Sequence, residues 1–229
     1  MQQVITAVTL LVALLVPVTH AAVKAFDTGA GKVYKLEVKQ DVTIESPTVN
    51  HNALKWLVVG KHPGYPTKRS LLKFEDLPVN NCPLHSIKWA KMYLYFDYAH
   101  KASKYRTSDV PDINRYLSVH LMKKAWNEAQ ANARYRVMGT PWTTEGIDIS
   151  GSDADACAQC GIITMFPARP SGFVEFDITA AVQSWAQGVP NNGVLVHAIN
   201  ELEAGRDLRF ASNKEKDKDK HAFVHVLCA

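Results

Sequence analysis

The 229-residue sequence contains no Asn-x-Ser/Thr tripeptide, so it offers no acceptor for N-glycosylation. Signatures of hydrolytic and nucleotide chemistry are missing too: there is no Gly-x-Ser-x-Gly, no His-Glu-x-x-His and no phosphate-binding loop. Acidic residues occur, but their spacing assigns no acid and base pair. These absences argue against an enzyme. Positive charge is not concentrated either. The formal net charge is +4, and the basic residues are scattered through "KVYKLEVK", "PTKRS", "YRTSD" and "RYRV". Nucleic-acid-binding proteins gather such residues on one face or arm. The densest run, "KEKDKDK" from Lys214 to Lys220, sets four Lys against one Glu and two Asp. That mixture suits a solvated hairpin loop better than a polyanion or mineral patch. After Val18 no apolar run approaches the ~20 residues of a membrane-spanning helix.

Before that point, "MQQVITAVTLLVALLVPVTHAA" is apolar from Val4 to Val18 and ends in small residues. This predicts a secretory signal peptide, residues 1–21, followed by one exported, soluble domain, residues 22–229. A membrane anchor competes with it, but the run is short for that role. All four cysteines follow the leader: Cys82, Cys157, Cys160 and Cys228. An even count in an exported chain favours two disulfides, and the preferred pairing of the three possible is Cys157–Cys160 with Cys82–Cys228. Zinc is the alternative for the C-x-x-C of "DACAQCG", but no second C-x-x-C or H-x-x-x-H accompanies it. No metal site is expected. Calcium is conceivable through Asp148, Asp153 and Asp155 of "DISGSDADA", which lacks the EF-hand order and its terminal Glu.

Short alternating runs dominate the rest. "YKLEVKQDVTIES", "LKWLVVG", "RSLLKF", "SIKWAKMYLYFDYA", "YLSVHLM", "FVEFDI", "GVLVHAI", "LRFAS" and "AFVHVLC" all read as strands separated by turn residues. This predicts an all-β, antiparallel sandwich. The middle, from "KKAWNEAQANARYRV" to "GSDADACAQCG", is irregular, with room for one helical turn at Trp126 to Ala133. One clean helix is expected after Phe176: Ile178, Val182 and Trp185 share a face, Asp177 or Thr179 can cap its start, and Gly188 with Pro190 ends it. Trp185 is expected to plug the open end of the core.

Side-chain alternation singles out one candidate site. In "SIKWAKMYLYF", Ala90, Met92, Leu94 and Phe96 form the core face, leaving Trp89, Lys91, Tyr93 and Tyr95 on the other. Glu175, His120 and His197 likewise fall opposite their strands' aliphatic sets, and Phe173 and Asp177 stand beside Glu175. Flat aromatics with polar neighbours suit a sugar platform, aromatic faces covering the apolar side of a pyranose. Lys91 can then meet the carboxylate of an acidic polysaccharide such as a uronan. The opposing reading has the long middle segment cover this face, making Trp89 and Tyr93 a satellite core.

The segment "FVEFDITAAVQSWAQGVPNNG" resembles the diagnostic stretch of the DNRLRE family, a carbohydrate-binding-module family with alginate-binding members. The residues that carry the likeness are Phe176, Asp177, Thr179, Val182, Gln183, Trp185, Gly188, Asn191 and Gly193. "DVTIESPTVNHN", "LVVG" followed by "RSLLKFEDLP", "IKWAKMYLYF", "LSVHLMKKAWNEAQANARYR", "GTPWTTEGIDISG" and "LRFAS" resemble further family segments, in order, from about Asp41 to Leu227. Where the family usually has a second Trp, this chain has Ala133-Arg134-Tyr135, and its last strand lacks the family's Pro. The resemblance implies an extracellular jelly-roll-like sandwich of the kind attached to polysaccharide-degrading or matrix proteins. Two functions are therefore expected: a secreted, non-catalytic module recognising a polysaccharide, or a structural extracellular-matrix protein of a skeletal, shell or adhesive matrix without a specific sugar ligand. No cofactor, nucleic acid or membrane span belongs to either.

Overall fold

The structure, a computed structural model, describes residues 23–97, 111–156, 161–167 and 169–229. The expected leader and the expected Cys157–Cys160 pair lie outside these residues. In chain order the strands are β1 (Lys24–Asp27), β2 (Lys32–Ile44), β3 (Trp56–Val59), β4 (Arg69–Phe74), β5 (Ile87–Phe96), β6 (Arg115–Met122), β7 (Tyr135–Val137), β8 (Thr140–Pro141), β9 (Ala154–Ala156), β10 (Ile163–Met165) and β11 (Gly172–Asp177). The helix α1 (Thr179–Ala186) follows, then β12 (Val194–Ala198), β13 (Leu208–Ala211) and β14 (Phe223–Cys228). No helix among the described residues is long and apolar enough to cross a membrane.

Every strand pairing is antiparallel, and the long pairs are nested. β2 pairs with β14, β4 with β12, β5 with β11, and β6 with β10. Of eight main strands the first thus meets the last, the second the seventh, the third the sixth and the fourth the fifth, which is the winding of a jelly roll. The first sheet runs β1-β2-β14-β5-β11, and the second runs β2-β4-β12-β6 with β9 and β10 along its far edge. β13 and β3 extend the first sheet beyond β14 through the pairing of Phe210 with Phe96.

Alternation fills the space between the sheets. Leu36, Met92, Leu94, Phe176, Phe210, Val224 and Val226 point inward from the first sheet, and Leu72, Phe74, Leu117, Val119, Val194 and Val196 from the second. The second sheet is also apolar outside. Val42, Ile44, Leu71, Met122 and Leu195 form a second buried cluster with Trp126, Ala131, Ala133, Trp142 and Ile147 of the middle segment. Coverage of Trp89 and Tyr93 by that segment is therefore corrected: its apolar residues answer the outer face of the opposite sheet. At Trp126 to Ala133 it makes a single turn, Gln130 and Ala131 N–H both donating to the Asn127 carbonyl, and no helix. Hydrogen bonds from Trp126 Nε1 to the Asn192 carbonyl and from Trp142 Nε1 to the Asn132 carbonyl, both 2.8 Å, seat the two indoles.

α1 forms as expected. Asp177 Oδ1 accepts the Thr179 N–H at 2.9 Å, and Ile178 and Val182 are fully buried. Trp185 is half-buried against the main core, so it seals the rim instead of filling the interior. The turn after the helix needs glycine: Gly193 has φ +81°, and a Cβ there would stand 2.0 Å from the Leu72 carbonyl oxygen.

Cys82 and Cys228 are bonded across 146 residues, with their Cα atoms 5.6 Å apart. The bridge fastens the end of β14, in the middle of the first sheet, to the loop that feeds β5. Closing so long a loop is worth up to about 5 kcal/mol in the chain-entropy description. The double variant Cys82→Ala/Cys228→Ala is expected to lose about 2 to 5 kcal/mol of unfolding free energy, read as a lower urea midpoint in tryptophan fluorescence. An unchanged midpoint would show that the bridge stabilises nothing.

Candidate functional site

The outward side chains of the first sheet stand in rows set by strand register. One row reads Glu37, Phe223, Tyr93, Glu175, and the next reads Lys35, His225, Lys91, Asp177. Trp89, Lys91, Tyr93, Tyr95 and Glu175 are therefore brought together as their alternation implies. Glu175 is the hub: Lys91 Nζ lies 2.6 Å from its Oε1 and Tyr93 OH donates to its Oε2 at 2.9 Å. Lys91 accordingly meets a carboxylate of its own chain, and its charge is compensated.

Strand order adds aromatics that β5 alone does not reveal. Phe223 stacks on Tyr93 with centroids 4.9 Å apart and planes at 21°. Phe173 stands edge-on to Tyr95 and to Phe223, 5.3 Å from each. His225 lies 4.7 Å from Phe223, and Phe26 of β1 closes on His225 at 5.7 Å. Three ammonium groups sit over rings: Lys35 over Phe223 at 4.8 Å, Lys220 over Tyr95 at 5.1 Å and Lys91 over Trp89 at 5.7 Å. Phe173 and Phe26 remain 39 % and 48 % exposed, so the face is wet. The Lys91 hydrogen bond holds the Glu175 carboxyl below its ordinary range, with Tyr93 adding to it against partial burial. Burial, and then the bond to Glu175, pushes Tyr93 up to about 12. Burial and the Lys35 charge lower His225.

At its far end the same sheet forms a cleft of about 310 Å³. Trp56, Val58 and Tyr65 line it with Lys68, Asp207 and Arg209. Arg209 pairs in register with Val58, so both project outward beside each other, alternate to the inward Leu57 and Phe210. Lys68 Nζ is fixed by Asp207 at 2.6 Å and Glu45 at 3.6 Å, and lies 5.3 Å from the Tyr65 ring centre. The sequence gives no hint of this cleft, because its walls come from four separate segments.

His120 and His197 do not join the platform. They lie on the outer face of the second sheet, 7 % and 5 % exposed, with their Nε2 atoms 2.8 Å apart. His197 Nδ1 is 3.6 Å from Glu201 Oε2. Arg69 grips the same carboxylate through Nε and Nη2, and its Nη1 donates to the carbonyls of Gly146 and Ile147 at 2.7 Å. Ile147 has φ +76°, a conformation costly for a β-branched residue, and Arg69 holds it there. Grouping these imidazoles with a sugar platform is thus corrected: alternation correctly turns them away from the core, but toward the covered face.

The three aspartates considered for calcium have partners of other kinds. Asp153, fully buried, accepts from the Thr143 N–H and hydroxyl and from the Asp148 N–H. Asp148 accepts from Ser150 and Ser152, and Asp155 pairs with Lys123 at 2.9 Å. Among the described residues, no group of three or more His, Cys, Asp or Glu converges as a metal site. No protein-family model matches the chain, and no curated protein matches it.

The histidine chain and a second buried acid give opposite pH trends. Burial, with the neighbouring His197, lowers His120 to about 4. Its contribution is thus present above about pH 6.5 and lost as pH falls through 4. Burial raises Asp41 to about 7 against the Asn213 N–H that it accepts, so its contribution is present below about pH 4 and lost as pH rises through 7. Relative to His120→Gln, the parent chain is expected to lose on the order of 2 kcal/mol of stability between pH 6.5 and 4. Relative to Asp41→Asn it is expected to lose stability between pH 4 and 7. Urea titrations across this range check both, and parallel curves would contradict both.

Proposed function

We propose that this chain is a secreted, non-catalytic carbohydrate-binding protein that recognises a polysaccharide on the outer face of its first sheet. One observation carries the reading: a wet, aromatic-rich sheet face with a donor and acceptor group, Lys91, Glu175 and Tyr93, fixed in its middle. Aromatic rings take the apolar face of a pyranose, and an ammonium beside a carboxylate offers a donor and an acceptor to neighbouring hydroxyls. Phe173 and Tyr95 flank that polar centre, and the Trp56 and Tyr65 cleft prolongs the face. Glu175 is held ionised by Lys91, the opposite of what a general acid requires, which favours binding over hydrolysis. The Cys82–Cys228 bridge fits an oxidising, extracellular setting. The DNRLRE resemblance supports the same reading.

A second reading, a structural extracellular-matrix protein, draws on a specific feature of the same face. Its rings pack on one another, and Phe173, Phe223 and Phe26 carry no polar tip for a sugar hydroxyl. Retention of the chain on neutral and uronic polysaccharides, at low and high salt, separates the two. On the carbohydrate reading Tyr93→Ala and Phe173→Ala each weaken retention by about 1 kcal/mol, roughly fivefold, while Tyr116→Ala on the other sheet leaves it unchanged. Compensation of Lys91 by Glu175 predicts that neutral chains bind as well as uronic ones. A folded parent chain retained by no polysaccharide, or Tyr93→Ala and Phe173→Ala retained like the parent, would leave the matrix reading.

A further inference from the structure

Two lysine–carboxylate pairs of the same length differ in where they stand. Lys91 and Glu175 meet at 2.6 Å with side chains 34 % and 45 % exposed. Lys68 Nζ and Asp207 Oδ2 meet at 2.6 Å with both side chains only 10 % exposed. Stripping two charges of water offsets most of what their contact gains, so stability alone is a weak reason for such a pair. Its carboxylate is also only half served. Asp207 Oδ1 is buried and has no hydrogen-bond partner among the described residues, which is costly if the group remains a carboxylate. A second carboxylate reaches the same amine: Glu45 Oε1 lies 3.6 Å from Lys68 Nζ, and Glu45 Oε2 lies 3.5 Å from His51 Nε2. The surrounding wall is largely apolar, with Leu54, Trp56 and Val58 nearby and the Tyr65 ring centre 5.3 Å from Nζ. Strand ends fix all three groups. Glu45 directly follows β2, Lys68 directly precedes β4 and Asp207 directly precedes β13.

We propose that Lys68 and Asp207 join in an intramolecular isopeptide bond, formed once per chain after folding, with Glu45 as the base. An amine held against a carboxyl group, shielded from water and beside a second carboxylate that can carry protons, has the parts that amide formation requires. One proton passes from Lys68 Nζ to Asp207 Oδ2 along their contact, and a second leaves Nζ for Glu45. The Nζ lone pair attacks Asp207 Cγ and the Nζ–Cγ bond forms. Glu45 returns its proton to Oδ2, the Cγ–Oδ2 bond breaks and Oδ2 departs as water. Nζ keeps one hydrogen, Oδ1 becomes the amide carbonyl, and Glu45 ends as it began. The step consumes no oxidant, cofactor or second substrate. It replaces two buried charges by one neutral amide, which is far less costly to keep from water. The bond closes 139 residues and ties the entry of β4, in the second sheet, to the entry of β13, in the first. The disulfide holds the start of β5, where Cys228 faces Ile87, and the amide would hold the other end, where Phe96 meets Phe210. None of this depends on what the first sheet binds.

The full chain, folded, then reduced and denatured, is weighed intact by mass spectrometry and digested. The expected mass is one water below that of the sequence from its own N-terminus, and the digest is expected to yield one branched peptide carrying both Lys68 and Asp207. This measurement on the parent needs no variant to fold. Lys68→Arg and Asp207→Ala are expected at their full masses. Glu45→Gln, shown to be folded by circular dichroism, is expected to keep the water or to lose it on the order of a hundredfold more slowly on incubation. In reducing, denaturing gels the looped parent should run ahead of Lys68→Arg. A parent at full mass, or Lys68 and Asp207 recovered in separate peptides, would overturn the bond and leave an ordinary ion pair. A water deficit that persists in folded Lys68→Arg would overturn it as well. Glu45→Gln reacting as fast as the parent would overturn the role of Glu45.

Discussion

The thirteen residues of β2 belong to both sheets, and the rest of the fold depends on how they change partners. Lys32 to Glu37 pair with β14, the last strand, and Val38 to Ile44 pair with β4, with a register shift between Val38 and Gln40. An inserted residue reverses which alternate side chains face which way. Before the shift the even positions Tyr34 and Leu36 enter the main core; after it the even positions Val42 and Ile44 face the outer cluster. A single irregularity therefore lets one alternating sequence feed two hydrophobic layers. It also brings the first and last main strands side by side, where the Cys82 bridge holds Cys228.

Two apolar layers on one sheet require a cover, and this decides which face of the molecule can meet a partner. The second sheet is apolar on both sides: β12 is buried at all five positions. The middle segment supplies Trp126, Trp142 and Ile147 as the covering layer, without regular helix or long strand to satisfy its backbone. Side-chain and loop hydrogen bonds do that instead, among them the Asp153 carboxylate with three donors and the Arg69 fork on Gly146 and Ile147. With that cover spent on the second sheet, the rings of the first sheet are met by one another, by the Lys35, Lys91 and Lys220 side chains and by Glu175.

Local alternation was enough to sort β5 and β11 correctly, because side chains on a strand alternate with period two whatever lies next to it. The inward Met92, Leu94 and Phe176 and the outward Lys91, Tyr93 and Glu175 were legible for that reason; the helix was legible too, although its N-cap is Ile178, without a side-chain cap bond, and not Asp177 or Thr179. What alternation cannot show is which outward faces share a sheet. Phe223 and His225 lie 130 residues or more along the chain from Tyr93, and only the β14·β5 register sets them beside it. The same gap let His120 and His197 be grouped with Glu175, although they occupy the other sheet. The Trp56 and Tyr65 cleft was invisible for a third reason, since irregular loops with no period build most of its wall.

The packing of rings against rings on the first sheet bears on what the face can do. A ring held by neighbours has already lost its rotamer freedom in the unbound state, and ordering such side chains at the moment of binding costs about 0.5 to 1.5 kcal/mol each. Tyr93, stacked on Phe223 and hydrogen-bonded to Glu175, avoids that cost, as does Phe173 lodged between Tyr95 and Phe223. The same contacts make each ring part of the sheet's own stability. Any binding at these positions would therefore be coupled to folding, and the two contributions would separate only where affinity and stability are measured on the same variant. Compensation of Lys91 by Glu175 works in the same direction: it leaves the face pre-formed and nearly neutral at its centre, suited to hydroxyls and ring faces more than to a dense anionic charge.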